Sequence, residues 1–333
     1  GMVFPALIYF LFNTTGEASQ GWGIPMATDI AFSLGVLALF GKRLPVALRV
    51  FLVTLAIVDD LGAVLVIAVF YTSGISMMNL LHALLFFGVL IIGNYAGIRK
   101  TWFYAIVGIG GVWLAFFFSG VHPTIAGILT AIAIPGRVKI KEDTFLERLS
   151  TLHNRFLKIK PVKGTLISSE QLDILQNIKS ATSEAETPLQ KLEKSLNPIV
   201  NFLVLPLFAL ANAGIHLHGE VGQVLLHPIS LGIGAGLVFG KFIGIISISR
   251  LLVFFKLAKL PDSVKWNQLY GVAFLGGIGF TMSLFINELA FKNEEFIYTA
   301  KVGILFSSLI AGIIGSVILM KSSRKQQKSK IAY

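Results

Sequence analysis

The sequence predicts an all-α protein that crosses a membrane many times, and three observations predict it. The 333 residues are 55% hydrophobic and only 14% charged, whereas soluble domains are about 25% charged. The apolar residues gather in long segments, about ten in number. Lys and Arg gather in alternate connections between those segments. The chain has no cysteine, which excludes a disulfide framework and thiolate chemistry.

The apolar segments differ in length. The first, at residues 2–12, is shorter than the roughly 20 residues that a spanning helix needs, so we expect the chain to begin within a transmembrane helix. The others reach or approach the spanning length, except a shorter one at 122–135. In chain order they cover residues 24–40, 46–71, 78–98, 102–119, 122–135, 198–216, 228–252, 268–291 and 298–320.

Basic residues mark one side of the membrane. They concentrate in every second connection, and the positive-inside rule makes that side cytoplasmic. The net charge of +11 therefore reflects topology, and we expect no nucleic-acid partner. The pattern divides the chain into membrane regions at 1–136 and 195–320, a cytoplasmic insertion at 137–194 and a basic cytoplasmic tail at 321–333. Outside the insertion and the tail, the basic positions of this side are Lys42, Arg43, Arg49, Arg99, Lys100, Arg250, Lys256, Lys259 and Lys265.

The insertion at 137–194 predicts amphipathic helices. Its apolar residues recur at helical spacing, and two capping boxes, Ser168 with Gln171 and Thr187 with Gln190, mark helix starts. Its basic residues are largely offset by acidic ones. We therefore expect a regulatory or packing element on the cytoplasmic side rather than a binding domain.

Four charged residues lie well inside predicted spans: Asp29, Asp59, Asp60 and Lys241. A charge at the centre of a bilayer costs several kcal/mol, and such residues pair, face water or move ions. Asp59 follows Val46 by 13 residues, or roughly 20 Å of helix, which is near mid-membrane. Adjacent residues on a helix point about 100° apart, so one aspartate can pair with Lys241 while the other faces a cavity.

Two spans carry features that interrupt a helix. In "GIPMATDIAFSLG" the polar Thr28–Asp29 pair follows a proline, and in "FLGGIGFTMSLF" Gly276, Gly277 and Gly279 weaken the helix. Breaks at membrane depth are tolerated only where they line a cavity or are buried in protein. Interrupted segments in the two halves of a chain indicate a transporter site.

The chemistry of these residues leaves more than one function open. A buried carboxylate holds either a proton or a small cation, and Thr28 adds a neutral oxygen, so a site that opens to each side in turn would exchange the two. A proton-conducting channel or membrane subunit also suits buried Asp and Lys. An aspartic protease needs two carboxylates sharing a proton, which adjacent helical residues cannot do. His122 is either proton-sensitive or satisfied by backbone at the interface.

Several motifs together resemble the NhaA-type sodium/proton antiporters. The resemblance covers the whole chain except 137–194, and implies two inverted repeats at about 1–72 and 225–322 with interrupted helices crossing at Thr28–Asp29 and Gly276–Thr281. It implies twelve transmembrane helices, of which this chain would lack the first two and part of the third, together with the external hairpin that forms homodimers. The motifs are "GWGIPMATDIAFSLGVLALFGKRLP", "FLVTLAIVDDLGAVLVIAVFYT", "SGVHPTIAG", "LPLFALANAGI", "GLVFGKFIGI" and "GGIGFTMSLFI".

The resemblance also implies roles for single residues. Asp60 would be the main ligand of Na⁺ or Li⁺, with Asp59 assisting and paired with Lys241. Asp29 and Lys241 would compensate the buried ends of the half-helices. Glu193 matches a position linked to pH response. The implied activity is electrogenic export of Na⁺ or Li⁺ in exchange for H⁺ across a bacterial inner membrane, serving sodium and pH homeostasis without a cofactor.

Overall fold

The computed structural model of this chain describes residues 1–41, 44–71, 75–159, 167–212, 214, 221–261 and 263–331, the last eight of these by their backbone alone. The described residues form helices and their connections, without a β-strand. Seven helices in the described part are long and apolar enough to span a bilayer, and a bent pair makes an eighth candidate. Two shorter apolar helices complete the succession of segments that the sequence predicts.

The chain forms two compact units, residues 1–72 with 201–333 and residues 73–200. Two helices of the first unit are interrupted, and their halves are labelled a and b. The helices of this unit are α1 (Val3–Phe12), α2a (Glu17–Met26, a 3₁₀ helix), α2b (Ile30–Ala38), α3 (Val46–Phe70), α10 (Val221–Leu226), α11 (Pro228–Phe254), α12a (Trp266–Leu275), α12b (Phe280–Ala290) and α13 (Glu294–Ile331).

The second unit holds the membrane-spanning candidates α4 and α5, the shorter α6 and the helices of the insertion. Its apolar core contains Leu90, Tyr104 and Val112, all fully buried. The chain returns to the first unit through α9. The helices are α4 (Met77–Tyr95), α5 (Thr101–Ser119), α6 (Thr124–Ala133), α7 (Glu142–Lys158), α8 (Ser169–Ala185) and the part of α9 (Pro188–Asn212) up to residue 200.

Both predicted capping boxes of the insertion are present, at Ser168 and Thr187. The prediction of a separate apolar span beginning at residue 198 is wrong, because α9 runs from Pro188 to Asn212 without a stop. Pro198 lies inside this helix, and a π-helical stretch, Val200–Val204, follows it. Such a stretch relieves the hydrogen bonding that proline disrupts. Most of the predicted end of this span, towards residue 216, lies outside the described residues.

An ion-pair cluster ties the insertion together. Glu184 of α8 pairs with Lys139 at 2.6 Å and with Arg148 of α7 at 3.0 Å. The hydrogen bond from Lys139 lowers the pKa of the Glu184 carboxyl, and Arg148 adds to the effect. The contribution of the cluster to stability is therefore present at neutral pH and is lost as the pH falls through the pKa of Glu184.

In the first unit, α3 joins two apolar clusters. Leu48 and Leu52 near its start belong to one cluster, and Ala63 and Ile67 near its end belong to the other. Asp59 is buried between them. The charged residues of α3 thus lie between two apolar layers, which lowers the local polarity around them.

Helix α1 packs closely against α11. A Cβ atom at Gly240 of α11 would lie 2.7 Å from the Cα atom of Pro5, which is backbone and cannot turn aside. Gly234, on the same helix, has its nearest such neighbour at 3.9 Å. Close approach of backbones through small residues is a common basis of helix packing in membranes.

We therefore expect Gly240→Ala to lower the thermal unfolding midpoint of the purified protein in detergent. Gly234→Ala serves as the matched control, because it adds the same methyl group where there is room. Alanine is favoured over glycine in a helix by up to about 1 kcal/mol, so the control should be neutral or stabilising. Equal midpoints for the two variants would contradict the packing described.

Candidate functional site

The two interrupted helices of the first unit cross at their breaks. The backbone N–H of Asp29 donates to the carbonyl of Ile278 at 2.6 Å. The Thr28 hydroxyl donates to the carbonyl of Gly276 at 2.8 Å. The second helix bends by 43° between α12a and α12b. The breaks that the sequence predicts at Thr28–Asp29 and Gly276–Thr281 therefore lie side by side, each supplying hydrogen-bond partners for the other.

Asp29 caps two helices at once. Its Oδ1 atom accepts from the backbone N–H of Phe32, at the start of α2b, at 3.0 Å. Its Oδ2 atom accepts from the backbone N–H of Thr281, at the start of α12b, at 3.0 Å, and from the Thr281 hydroxyl at 2.5 Å. A carboxylate is favoured beside the partial positive charge of a helix N-terminus. One buried side chain here serves two such termini.

Lys241 supplies the opposite charge. It is fully buried on α11, and its Nζ atom donates to Asp59 Oδ2 at 2.5 Å, to the Met26 carbonyl at 2.5 Å and to the Thr28 hydroxyl at 2.9 Å. These three acceptors match the three N–H bonds of an ammonium group. Met26 is the last residue of α2a, so the positive charge also meets the negative end of that half-helix.

Asp59 and Asp60 have different surroundings, as the sequence predicts for adjacent residues of a helix. Asp59 is buried and paired with Lys241. The Oδ1 atom of Asp60 is buried and has no hydrogen-bond partner among the residues that the structure describes. Buried polar atoms are nearly always paired, so such an atom requires an explanation. It is an acceptor left open beside the crossing.

The crossing carries excess negative charge in apolar surroundings. Three aspartates, Asp29, Asp59 and Asp60, lie close to one another, and one buried lysine, Lys241, lies near Asp59 and Asp60. Carboxylate, hydroxyl and carbonyl oxygens are hard ligands that suit small cations. In the described ranges no three Asp, Glu or His side chains converge as a metal-holding group. The carboxylate oxygen left without a partner among the described residues of this cluster is Oδ1 of Asp60.

Glycine at the second break has a steric reason. A Cβ atom at Gly277 would collide with the carbonyl oxygen of Leu237 on α11. Residues 276–279 interrupt the helix. The missing side chain of Gly277 also lets α11, which carries Lys241, approach the crossing. Any larger residue at position 277 would push the two segments apart.

Two other predicted residues lie in the second unit. The Nδ1 atom of His122 is 2.9 Å from the Thr124 hydroxyl and accepts weakly from the Thr124 backbone N–H at 3.4 Å, at the start of α6. Glu193 is exposed on α9. The hydrogen bonds described for His122 thus form a local cap, whereas Glu193 lies on an exposed helix surface.

Ser308 contributes to the crossing, although the sequence does not mark it as a site residue. The Oγ atom of Ser308, on α13, accepts from the backbone N–H groups of Gly279 and Phe280, each at 3.2 Å. Together with Asp29, it satisfies the free amides at the start of α12b. In the sequence, Ser308 is one serine among many in an apolar segment, and nothing in its local pattern names a partner from another helix.

Comparison with known proteins gives consistent matches along the chain. A model of the family "Na+/H+ antiporter 1" matches residues 1–319. The Na⁺/H⁺ antiporter NhaA 1 of Psychromonas ingrahamii is 44% identical over 331 residues, which cover 99% of this chain and 75% of the relative. The NhaA proteins of Sulfurimonas denitrificans and Acidithiobacillus ferrooxidans are each 47% identical, over 96% and 98% of this chain and 72% and 75% of their own lengths. The chain thus spans 72–75% of the length of these relatives.

The buried pair of Lys241 and Asp59 yields a stability prediction. We expect Lys241→Ala to destabilise the protein by about 3–5 kcal/mol, because it leaves a buried carboxylate without its partner. Lys301→Ala is the matched control, since Lys301 pairs with the partly exposed Glu288 at 2.7 Å, and such pairs contribute at most about 1 kcal/mol. Thermal unfolding in detergent measures both.

A second variant separates loss of pairing from loss of packing. Adding Asp59→Asn to Lys241→Ala removes the stranded charge and should restore part of the lost unfolding midpoint. A double variant no more stable than Lys241→Ala alone, or a control as damaging as Lys241→Ala, would contradict the assigned role of the pair.

Proposed function

This chain belongs to the Na⁺/H⁺ antiporter 1 family, and we propose that it exchanges Na⁺ for H⁺ at the crossing of α2 and α12, with Asp60 as the group that the two ions share. The family makes it a Na⁺/H⁺ antiporter, a multi-pass membrane transporter rather than an enzyme. The proposal concerns which residues perform the exchange and how.

The open Oδ1 atom of Asp60 is the observation that carries the proposal. Asp29 is occupied by two helix N-termini, and Asp59 is occupied by Lys241. Asp60 alone among the three retains a buried acceptor without a partner in the described residues. A proton or a small cation bound there would supply the missing partner.

Competition for one carboxylate couples the two ions. A protonated Asp60 is neutral and a poor cation ligand, whereas an ionised Asp60 attracts Na⁺ and Li⁺ through its charge. Thr28 and the carbonyl groups freed at the breaks add neutral oxygens. If the crossing faces one side of the membrane and then the other, proton binding on one side and cation binding on the other give exchange without a further site.

Lys241 and Asp59 have a supporting role in this scheme. Their ion pair neutralises one carboxylate and holds the end of α2a in place. The charge of Asp60 can therefore change while the charges of Asp59 and Lys241 stay the same. Asp29 likewise holds the starts of α2b and α12b in place, because its carboxylate accepts hydrogen bonds from both.

The remaining parts of the proposal concern direction and location. The chain exports Na⁺ or Li⁺ in exchange for H⁺ across a bacterial inner membrane, with the insertion at 137–194 and the tail at 321–333 in the cytoplasm. The alternation of basic residues supports this orientation. Glu193, exposed on α9, and His122, at the start of α6, are the candidates for a response to pH.

The direct test is Na⁺-induced proton movement in proteoliposomes containing wild-type protein, Asp60→Asn or Asp173→Asn. The asparagine keeps the size of the side chain but cannot bind and release a proton. We expect Asp60→Asn to lose exchange, and Asp173→Asn, the same change at an exposed position of α8, to retain it. Undiminished exchange by Asp60→Asn would refute the assignment. Proton movement that needs no Na⁺ would indicate a channel instead.

A second prediction follows from competition. Below the pKa of the shared carboxylate, each unit by which the pH falls should raise the apparent KM for Na⁺ by up to about tenfold, because the proton occupies the group in proportion to its concentration. The sign is fixed: apparent affinity falls as the pH falls. Initial rates at several Na⁺ concentrations and pH values measure it. An apparent KM independent of pH across the active range would contradict a shared site.

A further inference from the structure

Two serines occupy equivalent positions in the two interrupted helices. Ser33 is the fourth residue after Asp29, the N-cap residue of α2b. Ser283 is the fourth residue after Gly279, the N-cap residue of α12b. Both serines are fully buried. The second half of each interrupted helix thus carries a buried hydroxyl group one turn beyond its break.

Each serine donates to the other interrupted helix. The Ser33 hydroxyl donates to the carbonyl of Leu275, the last residue of α12a, at 2.8 Å. The Ser283 hydroxyl donates to the carbonyl of Ile24, in the last turn of α2a, at 2.8 Å. The second half of each helix therefore reaches the end of the first half of the other. The two bonds are reciprocal.

These bonds depart from the usual behaviour of serine in a helix. A buried serine commonly donates to a carbonyl of the preceding turn of its own helix. Ser307 of α13 does so, with bonds to the carbonyls of Gly303 and Ile304 at 2.6 and 3.1 Å. At a break, by contrast, the last carbonyl groups of a half-helix lack partners and cannot be satisfied by lipid. Ser33 and Ser283 satisfy one such carbonyl each.

The serine bonds also differ in kind from those at the centre of the crossing. The central bonds include the ionisable side chain of Asp29, whose strength as an acceptor depends on its charge. The two serine bonds join a hydroxyl group to a carbonyl group, and neither titrates over the range in which a transporter works. They lie one on each side of the centre and hold the two helices together whatever the charge of the site.

We propose that Ser33 and Ser283 are positioning residues that make the two breaks one unit and hold Thr28 against Asp59 and Lys241 while protons and cations exchange at Asp60. This inference rests on the exchange proposed above. Neither serine is assigned to the ion. Each acts by fixing the backbone from which the oxygens of the site project.

The test compares Ser33→Ala, Ser283→Ala and Ser307→Ala in proteoliposomes. Ser307→Ala is the matched control, because Ser307 is also buried but bonds within its own helix. We expect each of the first two variants to raise the apparent KM for Na⁺ by roughly fivefold, the factor that corresponds to about one net hydrogen bond, with little change in maximal rate per folded molecule. The control should keep the wild-type KM.

The division between KM and maximal rate separates positioning from simple stability. A serine that only stabilises the fold would lower the amount of active protein, and hence the maximal rate, while leaving KM unchanged. The double variant Ser33→Ala with Ser283→Ala adds a second criterion. Because the two hydrogen bonds hold the same pair of helices, losing both should raise KM by less than the product of the single effects.

Each outcome bears on a distinct claim. Wild-type KM values in both single variants would overturn the inference while the wild-type protein still exchanged ions. A shift in only one of the two variants would overturn the reciprocal arrangement. Absence of Na⁺-dependent exchange in the wild-type protein would instead defeat the proposed function. The single variants decide the question if the double variant does not fold.

Discussion

Breaking two helices inside a membrane creates a demand that the rest of the first unit must meet. Every backbone N–H and carbonyl group freed at a break needs a partner within the protein, because lipid offers none. Asp29 and Ser308 satisfy the amides at the start of α12b, Lys241 and Thr28 satisfy carbonyl groups at the ends of α2a and α12a, and the backbone of Asp29 bonds that of Ile278. The buried charges of the sequence follow from this demand as much as from ion transport.

The same demand explains why the neighbouring aspartates differ. Compensating the end of α2a requires a buried ammonium group, and a buried ammonium group requires a carboxylate. Asp59 fills that place through its ion pair with Lys241. Asp60 projects from the same turn of α3 at the same depth but in another direction. Its Oδ1 atom has no hydrogen-bond partner among the described residues. A carboxylate paired with a lysine and a carboxylate with an oxygen left without a partner in the described residues are thereby placed side by side on one helix.

The sequence predicts the fold class and the core of the site because both leave local patterns. Charged residues in apolar segments identified Asp29, Asp59, Asp60 and Lys241, and glycine clusters located the second break. Hydrogen bonds between residues that are far apart in the sequence leave no such pattern. Serine is common in membrane helices, so nothing in the sequence marks Ser33, Ser283 or Ser308 as a hydrogen-bond partner of another helix. The sequence also separates the amphipathic first turns of α9 from its apolar part, although the capping box at Thr187 begins one helix that continues through both.

The hydroxyl group of Thr28 has two acceptors but only one hydrogen atom. It lies 2.8 Å from the carbonyl oxygen of Gly276 and 3.1 Å from Asp59 Oδ2, while Lys241 donates to it from a third direction. At any moment one of the two acceptors is without this donor. Rotation about a single C–O bond transfers the hydrogen from one acceptor to the other and moves no heavy atom. The crossing thus contains a two-position element that leaves either the Gly276 carbonyl oxygen or Asp59 Oδ2 without the Thr28 hydrogen, although Lys241 still donates to Asp59 Oδ2.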